Sequence, residues 1–153
     1  MTQWIPHDEY YAQRVHASFE RQGIMDTLGA RLCRVGPGEV EIQLEYRPGL
    51  SQQHGFFHAG VTTTIADSAG GYAAYSLFPP DASVLTVEFK INLLAPADGE
   101  RLRAIGRVYK SGRTLTLCDV EVFVSKAGRE KVCAKMQQTL MRLEARSDIM
   151  VAG

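Results

Sequence analysis

Hydrophobic positions change their spacing several times along the chain, and each change marks a new element. Between Asp8 and Gln22, Tyr11, Val15 and Phe19 recur every fourth residue, with Arg14, Glu20 and Arg21 off that stripe. This predicts a one-sided surface helix over about 8–22. Two short runs then flank Pro37-Gly38. In the second, Val40, Ile42, Leu44 and Tyr46 alternate with Glu39, Glu41, Gln43 and Glu45, as expected of a hairpin with one buried face. From Ala59 to Tyr75 there is no Lys, Arg or Glu. A helix without a charged face is a buried helix, here over about 59–76. Its abundance of Gly and Ala predicts that other backbone packs close against it.

After Pro79-Pro80 the period returns to two. Residues 83–94 place Leu85, Val87, Phe89, Ile91 and Leu93 on one face and Thr86, Glu88, Lys90 and Asn92 on the other. Further strands are expected near 101–110, 113–125 and 131–143, separated by Ser111-Gly112 and Lys126-Ala127-Gly128 turns, which together read as a four-stranded antiparallel meander. An apolar helix and about six strands bury one another when the sheet curls around the helix. That is an α+β, hotdog arrangement, carrying a surface helix at its N-terminus. No linker, repeat or low-complexity tract interrupts it, so 1–153 reads as one domain.

Composition narrows the classes. Lys plus Arg (17) equals Asp plus Glu (17) and no block of like charge stands out, so no nucleic-acid partner is expected. No apolar run approaches the roughly 18 residues of a membrane span. The stretch from Met1 to Glu9 lacks a signal-peptide layout, so the expected location is cytoplasmic, without a membrane partner. Cys33, Cys118 and Cys133 form no C-x-x-C pair and are each expected to act as a small buried hydrophobe. His54 and His58 stand four apart, but no Glu follows the first and Gly55 intervenes, so no metal is expected and His58 is assigned to ordering its loop.

One residue breaks the apolar character of the central helix. Asp67 lies among Ile65, Ala66, Ala69, Gly70 and Gly71, where a carboxylate is costly unless it is hydrogen-bonded or used. Thr63, Gly70 and Gly71, one turn away, leave its flank bare enough for a ligand. At the helix start, the amides of Ala59, Gly60 and Val61 are expected to be free and to form an oxyanion hole. Asp67 follows Ala59 by eight residues, about 12 Å along a helix, whereas an oxyanion donor must lie about 3 Å from the reacting oxygen. A two-fold dimer with antiparallel central helices removes that conflict and gives two composite sites.

Gln52 to Gly60, followed by Asp67 and by the strand ending in Ala95-Pro96, resembles the PaaI-like hotdog thioesterases of phenylacetate metabolism over about residues 17–143. Their His-Gly-Gly is His58-Ala59-Gly60 here, with the acid nine residues beyond the His. The resemblance implies hydrolysis of a small or medium acyl-CoA, aryl groups included, without a cofactor. Asp67 would be general base or nucleophile, Gln52 would orient the thioester or the water, and Thr86 would assist. It implies coenzyme A binding at the dimer surface near Lys110, Ser111, Gly112, Arg113 and Thr114 and the strand carrying Lys90. The partner it implies is a second copy of the chain, as a homodimer or a homotetramer built from two dimers. A hotdog hydratase or dehydratase using His58, and a non-catalytic acyl-CoA binding module, are the alternatives.

Overall fold

The computed structural model describes residues 3–146. Met1-Thr2 and the tail after Arg146, which the one-domain and N-terminal readings included, lie outside the described residues.

The expected helix over 8–22 is shorter and followed by a second one: α1 spans Tyr11–Glu20 and α2 Gly23–Leu28. Gln22, extended at ψ 99°, separates them, and Gly29 ends α2 with a left-handed φ of 72°. Val15 and Phe19 are buried as the stripe predicts. Arg14 corrects the pattern, since it is not a solvated charge: it pairs with Asp8 at 2.8 Å, donates to the Phe78 carbonyl at 2.7 Å and lies 4.4 Å from the Tyr75 ring centroid.

Six strands, β1 (Arg31–Gly36), β2 (Glu39–Glu45), β3 (Ser83–Leu93), β4 (Arg101–Ser111), β5 (Leu115–Lys126) and β6 (Arg129–Leu143), form one sheet in the order β1-β2-β4-β5-β6-β3. Every pairing is antiparallel. The four-stranded meander is therefore corrected to three strands, β4-β5-β6, because β3 pairs with β6 while β4 pairs with β2. The chain between β3 and β4 makes no hairpin. It runs over the strand ends, pinned by Leu94 N–H to the Cys133 carbonyl at 2.8 Å and by Glu100 N–H to the Ser125 carbonyl at 2.8 Å.

The central helix, α3, spans Ala59–Tyr75 and lies on the inner face of the sheet. It packs on Val40, Ile42 and Leu44 of β2, Leu102 and Ala104 of β4, and Val120, Val122 and Val124 of β5, all buried. The expected close backbone approach is found where β4 crosses it. A Cβ placed on Gly106 would stand 2.5 Å from the Ala69 carbonyl oxygen. The outer face from β1 across β2, β4 and β5 to β6 carries a ladder of ion pairs, including Arg107 with Glu39 and Glu121, and Arg103 with Glu41 and Glu130. The Arg103 guanidinium holds the Glu130 carboxyl below its ordinary range.

The edge strand β3 departs most from its period-two reading. Thr86 faces Leu140 and Glu88 faces Thr139, which leaves Val87 as a bulge between them. Partners directly opposite share a face, so Val84 and Thr86 point inward with buried Leu140, and beyond the bulge Phe89, Ile91 and Leu93 point inward with Gln138, Met136 and Ala134. Leu85 points outward with Met141. The single apolar face from Leu85 to Leu93 is thus corrected to one that switches sides at Val87. Phe89 and Leu93 nevertheless stay about half exposed, at 45% and 56%.

Candidate active site

Helix α3 begins at His58, whose Nδ1 accepts the Gly60 N–H at 2.8 Å and whose carbonyl accepts the Val61 N–H at 2.9 Å. His58 therefore orders the helix start by capping it. This corrects the expected trio of free amides: Gly60 and Val61 are already engaged, and of the three only the Ala59 N–H has no acceptor among the described residues. Gln52 stands beside it. Its Oε1 accepts from the His54 and Phe56 amides, at 2.5 and 3.3 Å. That fixes the loop, and Gln52 lines a cavity of about 370 Å³ together with Phe56, Ala59, Leu93 and Pro96.

Asp67, half-buried in the middle of α3, accepts two hydrogen bonds on one oxygen. Thr86 Oγ1 donates to Oδ1 at 2.7 Å, and Gln138 Nε2 donates to the same atom at 2.5 Å. Oδ2 has no donor among the described residues. The carboxylate borders a second cavity, of about 220 Å³, shared with Ser18, Gln22, Tyr72, Thr86 and Leu140. Thr86 faces this cavity because of the bulge at Val87, since strict alternation from Phe89 would turn it outward.

The structure thus brings Asp67 and Thr86 together, and separately Gln52, Ala59 and His58, without joining the two groups within the chain. The first cavity touches Leu93 and Leu94 at the C-terminal end of β3, and the second touches Val84 and Thr86 at its N-terminal end. Gln138 was not picked out from the sequence. The available signal was a polar residue in phase with the inward Met136 and Leu140 in the stretch of β6 that alternates regularly from Ala134 to Leu140.

The residues expected to hold coenzyme A do not form one cluster. Ser111, Gly112, Arg113 and Thr114 make the β4–β5 turn, closed by Gly112 N–H to the Leu115 carbonyl at 2.9 Å, with Lys110 at its entry. Lys90 points outward on β3 beside Gln137 of β6. It therefore stands three strand spacings from β4, roughly 14 Å from the Lys110 column.

The three thiols separate by burial. Burial pushes Cys133 up to about 11 and Cys118 higher still, so both stay protonated and behave as buried hydrophobes. Cys33 corrects that reading for its own position, being exposed on the far edge strand β1. A thiol reagent applied to the native protein should label Cys33 and spare Cys118 and Cys133 until denaturant is added. Peptide mapping by mass spectrometry checks this, and rapid native labelling of Cys118 would contradict the burial of β5.

Among the described residues no group of three or more His, Cys, Asp and Glu side chains is arranged to hold a metal ion, and no helix is long and apolar enough to cross a membrane. Residues 54–131 match the family model described as the thioesterase superfamily. A solved thioesterase family protein from Silicibacter pomeroyi is 51% identical and superimposes with a TM-score of 0.87 over 88% of this chain and 98% of that one. The PaaI protein from the phenylacetic acid degradation operon of E. coli, 20% identical, shares the fold with a TM-score of 0.82 over 92% of this chain and 99% of its own. In sequence, a 1,4-dihydroxy-2-naphthoyl-CoA hydrolase of Listeria monocytogenes is 25% identical over 65% of this chain and 81% of its own. A putative esterase of Halobacterium salinarum is 28% identical over 72% of this chain and 76% of its own.

Proposed function

Since the chain belongs to the thioesterase superfamily, with the hotdog fold, we propose that it hydrolyses a small or medium acyl-CoA thioester at a site shared between two copies. One observation carries this reading. Asp67, with a free Oδ2, opens on a cavity at one end of β3, while the unpaired Ala59 amide and Gln52 open on a cavity at the other end. Antiparallel pairing of two β3 edges about a two-fold axis sets the first end of one copy against the second end of its mate. The same contact covers Phe89 and Leu93, which a lone protomer leaves about half exposed.

In this reading Asp67 Oδ2 takes a proton from water as the resulting hydroxide adds to the thioester carbonyl. The tetrahedral oxyanion is held by the Ala59 N–H, with the Gln52 amide donating beside it. Its collapse breaks the C–S bond and releases the free acid and the coenzyme A thiolate, a leaving group stable enough to depart without its own acid. Direct attack by Oδ2, forming a mixed anhydride that water then opens, makes Asp67 the nucleophile, gives the same products and leaves the roles of Ala59 and Gln52 unchanged. Thr86 steadies the carboxylate. Lys110 and Arg113, beside the Gly112 turn, and Lys90 on the outer face are cations suited to the phosphates of coenzyme A.

The Asp67 cavity supports a short or ring-sized acyl group. Its 220 Å³ in a single chain exceeds the roughly 150 Å³ that accommodates a benzene ring. Hydratase chemistry through His58 draws less support, because Nδ1 is committed to the Gly60 amide. Thiol release measured with butyryl-, benzoyl- and palmitoyl-CoA should favour the first two by about 10-fold or more. No thiol release from any of them would sink the hydrolytic reading. Loss of conjugated absorbance from an enoyl-CoA without thiol release would select the hydratase.

A further inference from the structure

Gln138 is 1% exposed and lies on β6 between strands β5 and β3, where its neighbours in phase are apolar. Its amide nitrogen reaches three oxygens of the site: Asp67 Oδ1 at 2.5 Å, the Asp67 backbone carbonyl at 3.1 Å and Thr86 Oγ1 at 3.3 Å. All three accept, so the amide must present its NH2 to them. The flipped amide would press its oxygen on a carboxylate and a carbonyl. Thr86 gives its own proton to Asp67 Oδ1, so the three side chains close a network on that single oxygen.

The other end of the amide has no such reward. Gln138 Oε1 is buried without a hydrogen-bond partner among the described residues. It fits only because residue 70 is glycine, since a Cβ there would stand 2.0 Å from Oε1. A buried, half-satisfied amide costs stability that an apolar side chain of similar shape would not. Its retention therefore has to be explained by what the satisfied end does. We infer that Gln138 is a positioning residue: with Thr86 it saturates Oδ1 of Asp67 and locks the carboxylate so that Oδ2 faces the cavity as the reacting oxygen. The inference rests on the hydrolytic reading of this site and adds a residue to it.

Gln138→Met, and Gly70→Ala, which drives the amide away with its new methyl group, test it from both sides. On butyryl- and benzoyl-CoA each should lower kcat by about 10-fold or more, because small misplacements of a reacting group are costly, with KM within about twofold. The melting temperature of Gln138→Met should hold or rise. In an Asp67→Asn background, Gln138→Met should change the rate no further. A crystal structure of Gln138→Met should show the Asp67 carboxylate released into more than one rotamer. That readout stands even if neither thioester is a substrate, which would fail the hydrolytic reading and not this one. Asp67 unmoved in that crystal structure, unchanged kcat, or a rate loss that only follows a drop in melting temperature would overturn the role of Gln138.

Discussion

Replacing Asp67 by Asn is expected to lower kcat by about 10²–10⁴-fold, the usual contribution of a positioned general base, equivalent to about 3 to 5 kcal/mol of barrier. The substitution keeps the shape of the side chain and an oxygen for Thr86 and Gln138 to donate to, so the network at 2.7 and 2.5 Å survives. Only the basic, anionic Oδ2 is lost. KM should therefore move little, the signature of an interaction needed in the transition state and not for binding. Stability should change by less than about 1 kcal/mol, since Asp67 is half-buried at the mouth of a cavity and carries no ion pair among the described residues. Steady-state thiol release and a thermal melt decide it together. Wild-type turnover would remove Asp67 from the mechanism. A dead enzyme that has also lost several kcal/mol would show a structural residue.

The reach of sequence reasoning into this site follows from what each residue does. Asp67 was legible because a carboxylate in an uncharged helical stretch violates the burial pattern around it. Thr86 entered through the family resemblance and not through its face, because alternation turned it away from the core and only the Val87 bulge turns it back. No composition rule announces a bulge in a strand of uniformly good strand formers. The helix-start amides illustrate a different limit. Which of them remains free depends on the rotamer of His58, and that rotamer spends the Gly60 N–H on a cap.

The fold was legible to the level of elements and their buried faces. Helix α3 and the β1–β2 hairpin were expected from one-sided or uncharged runs, and they are where the periods place them. Strand order was not, because a period of two says which side chains face the core but nothing about which strand lies alongside. The pairing of β2 with β4 and of β6 with β3 is set by the connection over the strand ends, whose backbone bonds to Cys133 and Ser125 leave no trace in hydrophobicity. Exposed Phe89 and Leu93 have a similar origin. Their pattern was that of a buried face, and no described element of the chain covers them.

The strongest stability effect should come from Gly106→Ala. Gly106 faces inward on β4 between Val40 and Val120, both buried. A Cβ there would lie 2.5 Å from the carbonyl carbon and oxygen of Ala69 and 2.6 Å from the Gly70 nitrogen. These are backbone atoms of α3, so no rotamer change relieves the contact and the helix itself must lift from the sheet. Overpacking of ordinary core sites costs about 1–3 kcal/mol, and a rigid backbone clash belongs at or above the top of that range. A loss of about 3 kcal/mol corresponds to a fall in Tm of roughly 6–12 °C for a chain of this size. Because Asp67 is two residues from Ala69, lifting α3 should also separate the carboxylate from Thr86 and Gln138, so the protein that still folds should turn over more slowly. Gly23→Ala is the matched control, with no atom within 4 Å of its added methyl and an expected change within about 0.5 kcal/mol. Equal melting temperatures for the two variants would mean that α3 and β4 are not in backbone contact, and with that contact would go the explanation for a glycine- and alanine-rich helix at the centre of the sheet.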